Sequence, residues 1–473
     1  MAIPEGLASY AWVAVCAVVA PAVFGLGIVR TLGLRPDHGR RVSWAFAYLA
    51  GHYVLAHATL LWALVARGVP GVLLPVAAVT VGIWLLRRAA GRRATAAPVP
   101  PSTVWDWLPA AVLIVVLLHD CLHANVDPIR ISDEAQIWAA KAKVLYGARS
   151  LDSPLAFAAF VSHPDYPLLD PLVQVLSFAS VGRVLHFENR LPIQFFAVAL
   201  LALLSAAMTR RAHPLVSALA LIAFAGTLFG SSARTAGADV LVSFATLAAV
   251  EALLRLRETG ARVWWRLACL AVAAMLASKN EGALLALAVA LPFGVGWLVD
   301  RRRATAPGRI PRAELAWLLL PVAALALQQV FNRRFDLRND LFDPNVGDGS
   351  GLFGRMLDNA ATHGPAVAEY YGRMLVDPAL HRLLPLAFVA AMTVRLCMHG
   401  RQGLQPSAML CGAVAGTVLG YMLVFVGTYS DLQWHLSTAA ARTMQQIVPV
   451  AALGLCLVTW PREHGARPGV PPG

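Results

Sequence analysis

The 473-residue sequence predicts an all-α, polytopic membrane protein with about 13 transmembrane helices. Hydrophobic residues make up 58% of the chain and charged residues only 14%, and the mean hydropathy is +0.63. Soluble proteins carry roughly 25% charged residues. The composition therefore excludes a disordered chain, a disulfide scaffold and an ordinary soluble enzyme.

Thirteen apolar segments approach the roughly 20 residues that a helix needs to cross the hydrocarbon of a bilayer. The seventh and eighth are short and the eleventh is the least apolar, so these three also fit re-entrant or tilted helices. The segments are Leu7–Val29, Val42–Val65, Val69–Leu86, Trp107–Leu122, Leu191–Met208, Pro214–Gly230, Val240–Leu254, Trp264–Ala277, Gly282–Val299, Leu315–Phe331, Ala379–Met398, Ala408–Val426 and Met444–Trp460. We divide the chain into a three-helix addition (residues 1–90), a core (91–460) and a disordered tail (461–473).

The positions of the arginines predict the orientation in the membrane. Pairs and clusters of arginine fall in alternate loops, and loops rich in Lys and Arg stay on the cytoplasmic side. This rule places the N-terminus outside and the C-terminus in the cytoplasm. The net charge of +13 then reports orientation and not a nucleic-acid partner.

Two loops on the predicted outer side are long, at residues 120–190 and 332–382. Loops of this length usually carry function or structure of their own. The first is expected to contain two amphipathic juxtamembrane helices, Ala135–Leu145 and Leu168–Leu185, which lie on the membrane surface.

Two patterns inside the apolar segments predict packing between helices. Gly412, Gly416 and Gly420 repeat at intervals of four and indicate a face for close approach of a neighbouring helix. His52 and His57 are expected to form hydrogen bonds between helices and not to relay protons.

The remaining ionisable residues gather at the predicted outer face in four clusters that are far apart in sequence. Asp133 and Glu134 begin the first juxtamembrane helix; by themselves they also fit helix capping, with Asp133 as the N-cap. The other clusters are Asp239, the group Lys279–Asn280–Glu281, and the last outside loop with Asp431, His435 and Arg442. Four such clusters on one side predict a single polar site at the outer boundary.

Lys279 and Arg442 are candidate anion ligands, and Asp133, Asp239 and Glu281 are candidate bases or metal ligands. Arginine binds a lipid phosphate in bidentate geometry and lysine binds it as a point charge. A carboxylate takes the proton from an attacking hydroxyl or amine. The site therefore has the groups for transfer of a sugar from a lipid phosphate.

The layout resembles integral-membrane glycosyltransferases of the GT-C fold, in the branch of protein O-mannosyltransferases and lipid A aminoarabinose transferases. Asp133-Glu134 matches the acidic pair at the start of their first long outside loop, and DEAQIWAAKAKVLY resembles a subgroup pattern through Asp133, Trp138, Lys141 and Lys143. HPDYPLLDPL, ADVLVSF, SKNEG and DLQWHLSTAAARTMQQIVP are similar to later elements of that subgroup. The subgroup is bacterial, so the resemblance implies the bacterial inner membrane. The resemblance covers roughly residues 107–460, while residues 1–90 are additional to it.

The resemblance implies a polyprenyl-phosphate sugar as donor, an acceptor of unknown identity at the outer face of the lipid membrane, and inversion at the anomeric carbon. It implies that Asp133 is the general base, with Glu134 and Asp239 as acidic partners that also fit a divalent metal ion. Lys279 and Arg442 would hold the donor phosphate. The substrate pocket would be lined by Trp138, Lys141, His163, Tyr166, Glu281 and His435.

Three other classes of protein compete with the transferase. A secondary transporter would place ionisable residues near the middle of the bilayer. A polysaccharide polymerase or ligase is also polytopic with a long outside loop. Near the middle of the bilayer the sequence offers only His52, His57, Gln328 and Gln329, which disfavours the transporter. The acidic pair early in the first long loop favours the transferase over the polymerase or ligase. The concentration of polar residues at one face disfavours the third class, a non-catalytic scaffold.

Overall fold

A computed structural model describes residues 6–66, 71–90, 107–125, 133–147, 162–227, 229–302, 310–339, 351–399 and 407–459. The predicted tail at 461–473 and parts of both long loops lie outside the described residues. Regular secondary structure is helical wherever the chain is described, without a strand, so the prediction of an all-α protein is confirmed.

A helix occupies each of the thirteen apolar segments. The first half of the chain forms α1 (Leu7–Thr31), α2 (Arg40–Ala66), α3 (Leu73–Ala90), α4 (Leu108–Ala124), α5 (Glu134–Ala139 continued by Ala140–Gly147), α6 (Leu169–Val181), α7 (Leu191–Arg211), α8 (Pro214–Ala225) and α9 (Ala238–Thr259). The second half forms α10 (Arg262–Ser278), α11 (Glu281–Arg302), α12 (Arg312–Arg334), α13 (Gly351–Asp358), α14 (Ala360–Val376), α15 (Leu384–His399), α16 (Ser407–Val426), α17 (Leu432–Gln445) and α18 (Val448–Thr459).

Among the described residues, six helices are long and apolar enough to cross a membrane: α1, α3, α7, α11, α12 and α16. α17 and α18 bend by 47° at their junction and add a seventh if the pair is one span. α4, α8 and α15 are apolar but shorter. This helix content is that of a multi-pass membrane protein.

The glycine stripe on α16 packs where the sequence predicts. A Cβ at Gly412 would lie 2.9 Å from Pro292 Cβ, and one at Gly420 would lie 2.4 Å from Leu284 Cδ1. The partners of the stripe, which include Ala288 opposite Gly416, are spaced four apart on α11. The two helices approach too closely for larger side chains, and the prediction of a close-packing face is confirmed.

The three N-terminal helices pack into the bundle. Trp12 Nε1 donates to Ser180 O at 2.6 Å, and Tyr48 Oη donates to Pro192 O at 2.7 Å. His52 is fully buried, and its Nε2 lies 2.8 Å from Ala17 O on α1, so the expected hydrogen bond between helices is confirmed. His57 instead contacts Tyr53 O of its own helix at 2.7 Å.

The structure corrects the prediction for the second juxtamembrane helix. α6 is buried on every side, and all of its residues from Leu169 to Val181 are inaccessible. Its polar side chains do not face water: Gln174 Nε2 donates to Asp170 Oδ1 at 2.7 Å, and Asn189 Nδ2 donates to Gln174 Oε1 at 2.7 Å. Because these side chains form hydrogen bonds with one another, an apparently amphipathic helix lies inside the bundle.

Several arginines that the charge pattern assigns to inside loops are ion-paired within the bundle. Glu251 on α9 is fully buried and binds Arg211 Nη1 at 2.6 Å and Arg255 Nε at 2.5 Å. Arg255 Nη1 also donates to His38 O at 3.1 Å. These contacts join α7 and α9 to the N-terminal helices at the end of the bundle opposite Asp239.

Candidate functional site

The structure brings the four predicted polar clusters together at one end of the bundle. Arg442 Nη1 lies 2.5 Å from Asp133 Oδ2, and Lys279 Nζ lies 2.9 Å from Asp239 Oδ1 and 2.9 Å from Glu281 Oε1. Arg442 also interacts electrostatically with Asp239 and Glu281. Two cations and three carboxylates from α5, α9, the α10–α11 turn and α17 thus form one cluster.

The two ends of this cluster differ in their access to solvent. The side chains of Asp133 and Arg442 are 47% and 37% exposed, whereas those of Lys279 and Asp239 are 6% and 14% exposed. Asp133 and Arg442 therefore lie at the open side of the site. Lys279 and Asp239 form its floor.

Local structure explains the placement of Asp239 and Lys279. Asp239 lies in the first turn of α9, where the helix dipole favours a negative charge. Its Oδ1 accepts hydrogen bonds from Lys279 Nζ and from Gln446 Nε2, each at 2.9 Å. Burial lowers the pKa of Lys279, but Asp239 and Glu281 outweigh burial and hold that pKa above its ordinary value. Lys279 is therefore a permanent cation beneath the opening.

The turn that carries Lys279 depends on a close contact between α10 and α11. A Cβ on Gly282 would lie 2.0 Å from Met275 O, so only glycine fits there. Gly282 N donates to Lys279 O at 2.9 Å and closes the turn. Glu281 Oε2 is buried and has no hydrogen-bond partner in the part of the chain that the structure describes.

Asp133 does not cap its helix. Its backbone is already helical, and its side chain makes no capping hydrogen bond. It contacts Arg442 instead, a residue 309 positions away. The capping interpretation of Asp133 is therefore wrong.

Glu134 occupies a different environment from its neighbour. Arg190 binds it with two hydrogen bonds, Nε to Oε1 at 2.6 Å and Nη2 to Oε2 at 2.9 Å, and Ala236 N donates to Oε1 at 2.6 Å. The Glu134 side chain is 6% exposed. These contacts correct its assignment as a catalytic or metal-binding group, and it instead fixes the start of α5 against α7 and α9.

Trp138 and Lys141 lie beneath the site and do not line it. Trp138 is 2% exposed and packs against Ile137 and Ala238. Lys141 is fully buried, and its Nζ donates to Tyr166 O at 2.6 Å. Burial lowers the pKa of Lys141, while Asp165 and Asp170 oppose that shift. Both residues support the site from below, which corrects their assignment to the substrate pocket.

Three partly exposed rings, those of His163, Tyr166 and His435, lie next to this cluster. His163 stacks on Tyr166 with ring centroids 5.0 Å apart, and Tyr166 leans on Trp138 at 5.7 Å. His435 Nδ1 lies 2.7 Å from Thr428 Oγ1, and its ring interacts electrostatically with Glu281 and His163. Flat aromatic faces of this kind suit contact with a sugar ring or an acceptor.

The residues proposed for a divalent metal do not fit one. Cations of the protein already occupy them: Arg190 binds Glu134, and Lys279 binds Asp239. Nowhere in the described ranges do three or more His, Cys, Asp or Glu side chains form a group suited to a metal ion.

Sequence reasoning missed Arg190, Asp165 and Gln446. Gln446 follows Arg442 by four positions and so shares its helix face, a spacing that was available as a signal. Arg190 precedes an apolar segment on the acidic side of the membrane, where an arginine is unusual. Asp165 lies inside the HPDYP motif but was not singled out.

No protein-family model, no curated protein and no solved structure matches this chain.

Proposed function

We propose that this protein is an integral-membrane glycosyltransferase that moves a sugar from a polyprenyl-phosphate donor to an acceptor at the outer face of the membrane. The convergence of Asp133, Asp239, Lys279 and Arg442 supports this proposal most strongly. These residues come from four separate parts of the chain, yet they form one partly open cluster at one end of an apolar bundle. The resemblance to the GT-C fold points to the same chemistry.

The proposed topology has thirteen spans, with the N-terminus outside and the C-terminus in the cytoplasm of a bacterium. Its support is the positive-inside pattern together with the direction of the helices. α9 carries Asp239 in its first turn and Arg257 in its last, so one helix joins the acidic end to the arginine-rich end. A site at the outer boundary receives a lipid-linked donor directly from the membrane.

In the proposed reaction, Lys279 and Arg442 bind the phosphate of the donor. Binding draws Arg442 from Asp133, so that the Asp133 carboxylate is left as an ionised general base. Asp133 takes the proton from the acceptor hydroxyl or amine as that atom bonds to the anomeric carbon. The bond from the anomeric carbon to the phosphate oxygen breaks, and the phosphate leaves with its electron pair beside Lys279 and Arg442. Cations in place at that charge stabilise the transition state.

The test is complementation of a deletion strain, with profiling of lipids and glycans. The strain is expected to accumulate one polyprenyl-phosphate sugar and to lack one sugar from its glycans. Wild type and Asp336→Asn restore the profile, since the Asp336 side chain is 86% exposed and pairs with Arg338, which is also exposed. Asp133→Asn inserts normally but restores nothing, and Arg442→Ala raises the KM for the donor. Restoration by Asp133→Asn at the wild-type rate would show that Asp133 is not the base.

A further inference from the structure

Asp165 connects four parts of the chain next to the candidate site. It is fully buried, and its Oδ2 accepts hydrogen bonds from Asn280 Nδ2 and Asn339 Nδ2, each at 2.7 Å. Its backbone oxygen accepts from Gln328 Nε2 at 2.9 Å and from Asn332 Nδ2 at 3.4 Å. One residue of the first outer loop thus binds the α10–α11 turn, the end of α12 and the second outer loop.

The contact with Asn280 bears directly on the cluster. Asn280 stands between Lys279 and Glu281, whose side chains lie 2.9 Å apart. Gly282 fixes the far end of the turn through its close approach to Met275. The Asn280 side chain, held by Asp165, fixes its centre, so the position of Lys279 Nζ depends on both anchors.

A buried carboxylate in this place needs compensation. The side chain of Lys141, also fully buried, interacts with Asp165 electrostatically. Two side-chain amides donate hydrogen bonds to Asp165 Oδ2. A buried charge with such partners makes strong, directional hydrogen bonds, which suits it to hold a turn in one position.

We propose that Asp165 is a positioning residue for the donor-phosphate site, acting through Asn280 to hold Lys279 and Glu281 in place. This inference depends on the proposed function, because Lys279 binds a phosphate only if the donor is a lipid phosphate. Asp165 itself does not contact the donor. Its role is to determine how well the site distinguishes a phosphate-bearing lipid from the same lipid without a phosphate.

The experiment measures binding of farnesyl phosphate and of farnesol to the full-length protein in lipid nanodiscs. The farnesol arm reports the apolar part of binding, and the ratio of the two affinities reports the phosphate site. Asp165→Asn is expected to weaken binding of farnesyl phosphate about tenfold, which equals about 1.4 kcal/mol, and to leave farnesol within about twofold. Asn280→Ala breaks the same link from the other side and is expected to lower the ratio similarly.

The matched control is Asp336→Asn, which removes an equal charge from an exposed position and leaves the ratio at the wild-type value. Equal loss of both ligands in Asp165→Asn and Asn280→Ala would mean a general loss of structure and would overturn the inference. An unchanged ratio in Asn280→Ala would also overturn it, even if Asp165→Asn does not fold. A wild-type protein that binds both ligands equally would instead refute the phosphate site itself.

Discussion

Loss of the buried ion pair between Arg190 and Glu134 should lower the stability of the helices that support the candidate site. This prediction does not depend on the proposed reaction. Arg190→Met removes the guanidinium and keeps an apolar side chain of similar length. Among its contacts in the described ranges, Glu134, which is 6% exposed, then keeps the hydrogen bond from Ala236 N and loses both bonds from Arg190. Ala124 O also loses its bond from Arg190 Nη1, which is 2.9 Å long.

The expected cost follows from these contacts. Unit charges about 4 Å apart attract by about 4 kcal/mol at an effective dielectric constant near 20. Removal of one partner from a buried pair costs about 3–5 kcal/mol, because the remaining charge is left without compensation. The double variant Arg190→Met/Glu134→Leu removes both charges and is expected to recover at least about half of that loss.

The assay is thermal unfolding of the purified protein in nanodiscs. The exposed pair Arg373–Glu369 provides the control, since both side chains are more than half exposed. Arg373→Met should change stability by less than about 0.5 kcal/mol. An Arg190→Met variant that unfolds at the wild-type temperature would show that the ion pair does not stabilise the protein. A double variant less stable than Arg190→Met alone would show that the uncompensated Glu134 charge is not the cause of the loss.

Three further predictions concern stability in the same nanodiscs. Glu251→Leu removes the anion that binds buried Arg255 and leaves buried Arg211 paired with Glu258. It should lower the free energy of unfolding by about 3–5 kcal/mol, and a wild-type melting temperature would contradict this. Gly282→Ala should cost about 1–3 kcal/mol because its Cβ meets Met275 O, whereas Gly294→Ala, whose Cβ has open space, should melt near wild type. Burial raises the pKa of Asp170 from 3.8 to about 8, and the nearby Glu134 and Asp239 add to this shift. The native carboxyl therefore keeps a proton that the unfolded chain loses, so wild-type stability should fall as pH rises from about 4 to about 8. Asp170→Asn should lose that slope, and a slope equal to that of wild type would show that another group causes it.

The sequence predicts the positions of the helices well because the length of an apolar segment is a property of the sequence alone. The same holds for the stripe of Gly412, Gly416 and Gly420, whose spacing alone defines a face. Sidedness predicts that the polar clusters share one end of the bundle. Sidedness does not predict which side chains pair with one another, because any two groups at the same depth in the membrane could meet.

Glu134 and α6 illustrate what the sequence leaves open. Adjacent carboxylates at 133 and 134 look alike in sequence, but one contacts Arg442 and the other contacts Arg190. The polar residues of α6 look like a water-facing stripe. Asn189, from a turn with no periodic signal, supplies a partner that allows Gln174 to be buried. Such matches depend on three-dimensional packing between distant parts of the chain.

The few charged residues of this protein include two groups, at opposite ends of the bundle, that differ in solvent exposure. At the arginine-rich end, Glu251 and its two arginines are almost fully buried, so an exchange of partners there would leave a charge uncompensated at high cost. At the other end, the pair of Asp133 and Arg442 is partly exposed, and an exposed pair contributes only about 0–1 kcal/mol. In the proposed reaction, a donor phosphate would therefore replace Asp133 as the partner of Arg442 at little cost. A weak pair of this kind would leave Asp133 free to act as the proposed base when the donor is bound.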